Sequence, residues 1–136
     1  MDKTEILTFM RQNDNCHLAT VEDGAPRVRG MRLYKADENG IIIQTAKNKD
    51  LYKQLCKNPQ AELCFNNFKD GVQLRVSGIF QTLNDIELLK QVEEDRPFLK
   101  TLIPKGYEVA LFRLTNAIAH VWTMKTNLEP KMYIEL

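Results

Sequence analysis

The sequence predicts a mainly β fold of the α+β class, built as a small, mostly antiparallel barrel with about three flanking helices. Short runs rich in β-branched and aromatic residues recur at close spacing, separated by turn pairs such as Asp23-Gly24 and Asn39-Gly40. Few helical stretches lie between them, which favours a small barrel over an open parallel sheet. The period changes from strand to helix once within a short span, Ile41–Pro59, and the chemistry of the chain is organised around that unit.

Taken in order, residues 2–13 have the spacing of an amphipathic helix with Ile6, Leu7, Phe9 and Met10 on its apolar side, ended by Asn13-Asp14-Asn15. Cys16–Val21 is a short strand closed by Glu22-Asp23-Gly24. Arg27–Lys35 is a second strand, with Arg27, Arg29, Met31 and Leu33 on one face because strand side chains alternate. Gly30 in its middle marks a close approach by a ligand or another backbone. Ile41-Ile42-Ile43 opens a third strand, Asn48 is the expected N-cap of a short helix, and Asn58-Pro59 stops it. Gln60–Asn66 and Val72–Thr82 are strands, the second with a bulge at Gly78. Asn84, with Glu87 three residues on, signals a helix that Pro97 interrupts, and Phe98–Ile103 adds one further turn. Tyr107–Leu114 and Ala117–Met124 are expected to form a hairpin about Thr115-Asn116, and Lys131–Leu136 has strand composition.

The 136 residues suffice for one domain, residues 1–136, with a real core. With 19 basic and 18 acidic residues spread along the chain, bulk charge gives no reason to expect a nucleic-acid or membrane partner. No apolar run approaches the roughly 20 residues of a membrane span, and the charged N-terminus has no signal-peptide core behind it. Cys16, Cys56 and Cys64 have neither pairing number nor metal-ligand spacing, so a reduced, cytoplasmic protein without a metal centre is expected.

Candidate chemistry centres on Lys47, Lys49, Lys53 and Lys57, which crowd the start and one side of the second helix. Lysines at a helix start are unfavourable for the helix alone but suit an anion such as a phosphate held there. A solvated lysine face is the alternative. Arg27 and Arg29 share one strand face, and Gln73, Arg75 and Ser77 share another; alternation alone does not say which faces are buried. No GxSxG, GxGxxG or GxxxxGK[ST] motif occurs, His17 and His120 have no partner at ligand or catalytic spacing, and Trp122 fits core or interface packing.

Several runs, in order, carry a family resemblance: His17-Leu18-Ala19-Thr20-Val21, Pro26-Arg27-Val28-Arg29, Thr45-Ala46-Lys47-Asn48-Lys49, Asn58-Pro59 and Val72–Gly78. Together they resemble the pyridoxamine 5'-phosphate oxidase-like family over about residues 5–125. The resemblance implies a six-stranded antiparallel split β-barrel, a homodimer, and FMN at the subunit interface. It implies that the FMN phosphate is held by Arg27 or Arg29, Thr45, and Lys49 with Lys47 or Lys53 nearby. It places Gln73 against the flavin ring and adds Met31 and Trp122 to the cofactor-binding set. The oxidase's Ser-Arg-Lys is replaced by Lys47-Asn48-Lys49, and the C-terminal substrate-recognition segment is missing at Leu136, so turnover of pyridoxamine 5'-phosphate is not expected. The chain more closely resembles the flavin-reductase and nitroreductase-like members. Three readings remain open: an FMN-dependent oxidoreductase using a small molecule or an electron donor such as NAD(P)H, a binding protein for flavin, haem or deazaflavin without turnover, or a degenerate family member whose dimer packs with no ligand.

Overall fold

The computed structural model describes residues 1–136. Its elements are α1 (Lys3–Gln12), β1 (Asn15–Glu22), β2 (Ala25–Arg32), β3 (Lys35–Asp37), β4 (Gly40–Ala46), α2 (Asp50–Lys57), β5 (Gln60–Asn67), β6 (Val72–Thr82), α3 (Ile86–Asp95), α4 (Leu99–Leu102), a 3-10 turn at Ile103–Lys105, β7 (Val109–Thr123) and β8 (Ile134–Glu135). The strands form one antiparallel sheet in the order β2-β1-β5-β6-β7-β4-β3, with β8 beside β7. There are eight strands rather than six and four α-helices rather than three. Lys35–Asp37 separates from the expected second strand, the tail pairs through Ile134, and Leu99–Leu102 is a helix of its own beyond Pro97.

The expected hairpin at Thr115-Asn116 is instead a single 15-residue strand. Both halves pair with β6, from Val72↔Thr123 to Thr82↔Phe112, with a register shift between Ser77 and Ile79. Asn116, at φ 52°, absorbs the extra residue without reversing the chain. Gly78 makes room for this bulge. A Cβ there would sit 2.7 Å from the Thr115 carbonyl oxygen and 2.9 Å from a Leu114 methyl. Gly30 has no such role within the chain, because a Cβ there would meet the His17 ring at 3.9 Å and the Cys16 carbonyl oxygen at 4.0 Å, both ordinary contacts.

Helix starts differ in detail from the sequence signals. Asp2 caps α1 in a reciprocal box with Glu5, and Arg11 docks its other end by donating to the Ala36 carbonyl at 2.6 Å. Lys49, not Asn48, stands at the N-cap of α2 and offers no capping side chain; Asn48 donates instead to the Gly106 carbonyl. Asp85, not Asn84, caps α3 through the Leu88 N–H, because its carboxylate is the one positioned over the first turn.

The sheet curls around Leu18, Leu63, Phe65, Leu74, Val76 and Ala119, all fully buried. Phe112 joins them, with Tyr52 and Phe80 rings 5.7 and 6.3 Å from its own. Truncating a buried leucine of this kind to alanine costs about 2–5 kcal/mol. A smaller cluster, Val92, Leu99 and Leu111, packs α3 and α4 on the other side of β4 and β7. Residues Ile41 to Ala46 are therefore buried on both faces, which explains why β4 is a nearly continuous apolar run rather than an alternating one. On β6, Leu74 and Val76 point inward, so Gln73, Arg75 and Ser77 face outward; on β2, Val28 is the outward residue and Arg29 shares the inner side.

Two outcomes follow from this packing. Gly78→Ala forces the Cβ into a backbone carbonyl and is expected to destabilise by about 1–3 kcal/mol in urea unfolding, with Gly30→Ala far milder. Burial pushes the Cys16 thiol up to about 12 from 9.0, with Asp14 and Cys64 adding to the rise. The unfolded chain ionises near the ordinary value while the folded chain stays neutral. Stability from Cys16 is thus complete below about 9 and lost as pH climbs toward 12. Urea titrations should show a loss of about 1–2 kcal/mol between pH 8 and pH 10.5 that is absent in Cys16→Val.

Candidate functional site

The sheet does not close. Its path begins at β2, whose only hydrogen-bonded neighbour is β1, and a groove of about 320 Å³ opens where β2 faces the end of β4. Three elements line it: Arg29, Gly30 and Met31 from β2, Gln44 and Thr45 from β4, and Lys49, Asp50 and Leu51 from the start of α2.

Arg29 is held from behind. Nη1 donates to the Leu18 carbonyl at 3.1 Å and to the Thr20 hydroxyl at 2.8 Å, and Nη2 donates to Gln54 Oε1. The Thr20 hydroxyl donates to the same oxygen at 2.6 Å, and Gln54 Nε2 donates to Glu22 at 3.1 Å. Thr20 and Gln54 are both buried. Burial pulls the Arg29 pKa below its ordinary value, opposed by the carboxylates of Asp50 and Glu22, and a guanidinium remains a cation at neutral pH. Of its five N–H groups, those on Nε and one on Nη2 are not used within the chain.

Thr45 is buried, and its hydroxyl makes no hydrogen bond within the chain although the residue lines the groove. Lys49 joins no ion pair; its ammonium lies 5.8 Å from the centre of the Tyr107 ring. As an N-cap without a capping side chain, it leaves the first-turn N–H groups of α2 open. Gln44 donates through Nε2 to Tyr107 Oη at 2.6 Å and to the Thr45 carbonyl at 3.1 Å, and its Oε1 accepts from Arg96 at 2.9 Å.

The groove thus gathers a guanidinium edge, an ammonium, a free hydroxyl and a helix N-terminus, a donor set that fits a phosphate. Asp50 is the opposing charge at its mouth. Arg29, Lys49 and Asp50 are the only ionisable groups that line it, with no nucleophile and no histidine among them.

Four of the residues singled out from the sequence meet here: Arg29, Met31, Thr45 and Lys49. Arg27 lies on the surface, 3.4 Å from Glu22. Lys47 is exposed, tied only by its backbone N–H to the Glu108 carbonyl, and Lys53 is exposed outside the groove. Gln73 and Trp122 are cross-strand partners on the outer sheet face, opposite to the face that carries Arg29. Gln73 donates to Asn66 at 3.0 Å and Trp122 to Asn127 at 2.8 Å. Trp122 and the buried His120 line a separate cavity of about 330 Å³ under Thr126–Met132.

Sequence reasoning missed Thr20, Gln44, Gln54, Arg96 and Tyr107. Three of them carried a signal: Gln44 interrupts an apolar run, Gln54 lies on the same stripe as Leu51 and Leu55, and Thr20 continues the buried face of Cys16 and Leu18.

The model of the family described as pyridoxamine 5'-phosphate oxidase matches residues 2–105. The chain belongs to that family. Its fold is that of a NimC/NimA family protein from Clostridium acetobutylicum, at 24% identity, TM-score 0.79, over 98% of this chain and 93% of that one. It is also similar to a pyridoxamine 5'-phosphate oxidase-related, FMN-binding protein from Nostoc punctiforme, at 14% identity, TM-score 0.65, over 98% and 95% of the two chains. The haem-storage protein HutZ from Vibrio cholerae aligns at 18% identity, TM-score 0.63, over 84% and 89%. At these identities the likeness is one of fold. No curated protein matches the chain. No helix is long and apolar enough to cross a membrane.

The Thr20–Gln54–Arg29 network is testable by itself. Gln54→Leu removes the shared acceptor and leaves two donors unpaired, so a loss of about 1–3 kcal/mol is expected in urea unfolding. Thr20→Val in that background should add clearly less than it does alone; strict additivity of the two would show that they do not act as a unit.

Proposed function

We propose that the chain binds FMN by its phosphate in the groove between β2, β4 and α2, works as a homodimer, and serves as an FMN-dependent oxidoreductase for a small molecule, with an electron donor such as NAD(P)H. The observation that carries this reading is the set of unused donors on Arg29, Thr45, Lys49 and the α2 N-terminus, all turned to one groove. Membership of the family supports it, and the Nostoc relative is named as FMN-binding.

The bound flavin would supply hydride and electron chemistry itself. What remains for this chain is to hold the phosphate, orient the ligand and shield it from water, which matches a groove without an acid–base pair. Arg29 clamps from the inner face of β2, Thr45 offers its hydroxyl from the end of β4, and Lys49 adds charge at the helix start. Gln73 and Trp122 lie on the opposite sheet face, beyond reach of the same ligand within one chain. A second copy would bring that face to the groove, and the apolar Val28 and Ile118 on it, 69% and 39% exposed, suit burial between two copies. Storage or sensing without turnover is the second reading, favoured by the same lack of acid–base groups and by relatives named as haem proteins.

FMN and riboflavin titrations test the anchor. Each charged hydrogen bond to the phosphate is worth about 1.5–3 kcal/mol, so Lys49→Ala and Arg29→Ala should each weaken FMN binding at least about tenfold in a folded protein. Riboflavin should bind the parent protein much more weakly than FMN, and equal affinity for the two would refute the phosphate anchor. Light scattering of the flavin-loaded protein should give a dimer. A red-brown rather than yellow protein would favour haem, and NADH oxidation with a dye acceptor separates an enzyme from a carrier.

A further inference from the structure

We propose that Arg96, which does not line the groove, is its positioning residue: through Gln44 it fixes both Thr45 and Lys49, and so sets the preference for a phosphate-bearing ligand. The proposal rests on the phosphate reading of the groove.

Arg96 closes α3 just before Pro97 and reaches back toward the sheet, half-buried. Its Nη2 donates to the carbonyls of Arg32, the last residue of β2, and of Leu33 just beyond it, both at 3.1 Å. Its Nη1 donates to Gln44 Oε1 at 2.9 Å. The Tyr34 ring lies 5.3 Å from the guanidinium carbon, and the Tyr34 hydroxyl donates to Asp95 at 2.7 Å. One planar fork thereby ties the end of β2, β4 and α3 together.

The consequence for Gln44 is directional. A guanidinium has no acceptor, so the amide must present its oxygen to Arg96 and its nitrogen to the other side. On that side Nε2 uses both hydrogens, one on the Thr45 carbonyl and one on Tyr107 Oη. The first bond fixes the peptide that carries the free Thr45 hydroxyl. The second fixes the phenol whose ring lies beside the Lys49 ammonium. Without Arg96 the Gln44 oxygen loses its donor, the amide is free to turn over, and both anchors lose their support. Arg96→Lys keeps the charge, but a single ammonium cannot reproduce the fork that spans two carbonyls and the amide.

The experiment measures FMN and riboflavin dissociation constants, with urea stability, for Arg96→Met, Arg96→Lys, Gln44→Leu, Tyr107→Phe and the Arg96→Met/Gln44→Leu pair. Arg96→Met is expected to weaken FMN about fivefold or more while riboflavin changes by less than about twofold, and the pair should bind FMN no worse than the weaker single variant. Arg96→Lys should not restore the FMN preference. Tyr107→Phe keeps the ring and the fold while removing only the phenol oxygen, and should lower the preference about two- to fivefold, so it decides the matter if Arg96→Met fails to fold. Equal weakening of both flavins, an undiminished preference in Tyr107→Phe, or full recovery in Arg96→Lys overturns the proposal while leaving the phosphate site standing. If the parent protein itself shows no preference for FMN, the phosphate site falls and the proposal falls with it.

Discussion

The hydrogen bonds that Arg29 donates to Thr20, Gln54 and the Leu18 carbonyl are the interaction on which the rest of the site depends. Strand alternation puts a half-buried guanidinium on the inner side of an edge strand, where it gives up part of its hydration and needs hydrogen-bond partners. The chain meets that need with polar side chains from β1 and α2. The three-residue connection Lys47–Lys49 keeps the N-terminus of α2 at the end of β4, and the bond between Gln54 and Arg29 ties the helix to β2 across the groove. The back of the groove is therefore built by satisfying one half-buried cation, and its donors are those left over after that task.

Two glutamines, Gln44 in the groove wall and Gln54 behind it, have parallel roles. Each amide oxygen accepts from an arginine, and each amide nitrogen donates onward, Gln54 to Glu22 and Gln44 to Tyr107 and the Thr45 carbonyl. A carboxylate in either place would hold its arginine more tightly but would neutralise it. A neutral amide orients the guanidinium without cancelling its charge, and of the two only Arg29 presents that charge to the groove. Asp50 works the other way. In the first turn of α2 it suits the helix dipole, and at the mouth of the groove it opposes an incoming anion. The charges that line the groove are thus Arg29 and Lys49 against Asp50.

Much of the fold was legible because local signals and packing agreed. The apolar stripe of α1 follows from the spacing of Ile6, Leu7, Phe9 and Met10, and the turn at Asn39-Gly40 and the bulge at Gly78 each follow from a glycine. Thr115-Asn116 misled because a single residue at positive φ serves a bulge as well as a turn, and only the long partner strand β6 decides between them. At the site, Arg29, Met31, Thr45 and Lys49 lay in stretches whose strand and helix periods were readable. Arg96 was not readable at all. Its partners are 52 and about 63 residues away in sequence, and beside Pro97 it carried only the signal of a helix end. Gln44 and Gln54 were readable in principle, since a polar residue on a buried stripe must have partners, but the sequence does not name them.

Alternation along strands sets a further limit on what one chain can do. On β6, inward Leu74 and Val76 force Gln73 outward, and pairing with β7 carries Trp122 outward with it. On β2 the same rule turns Arg29 inward and Val28 outward. No side-chain rearrangement moves Gln73 to the face of Arg29, because a one-residue slip would turn every core side chain of the strand to solvent. A ligand that used both Arg29 and Gln73 would have to lie between two chains, with the groove of one against the outer sheet face of the other. The fold thus separates its donors by face: Arg29, Thr45 and Lys49 line the inner groove beside the buried amides of Gln44 and Gln54, while Gln73, Trp122 and the exposed Val28 and Ile118 lie on the outer face.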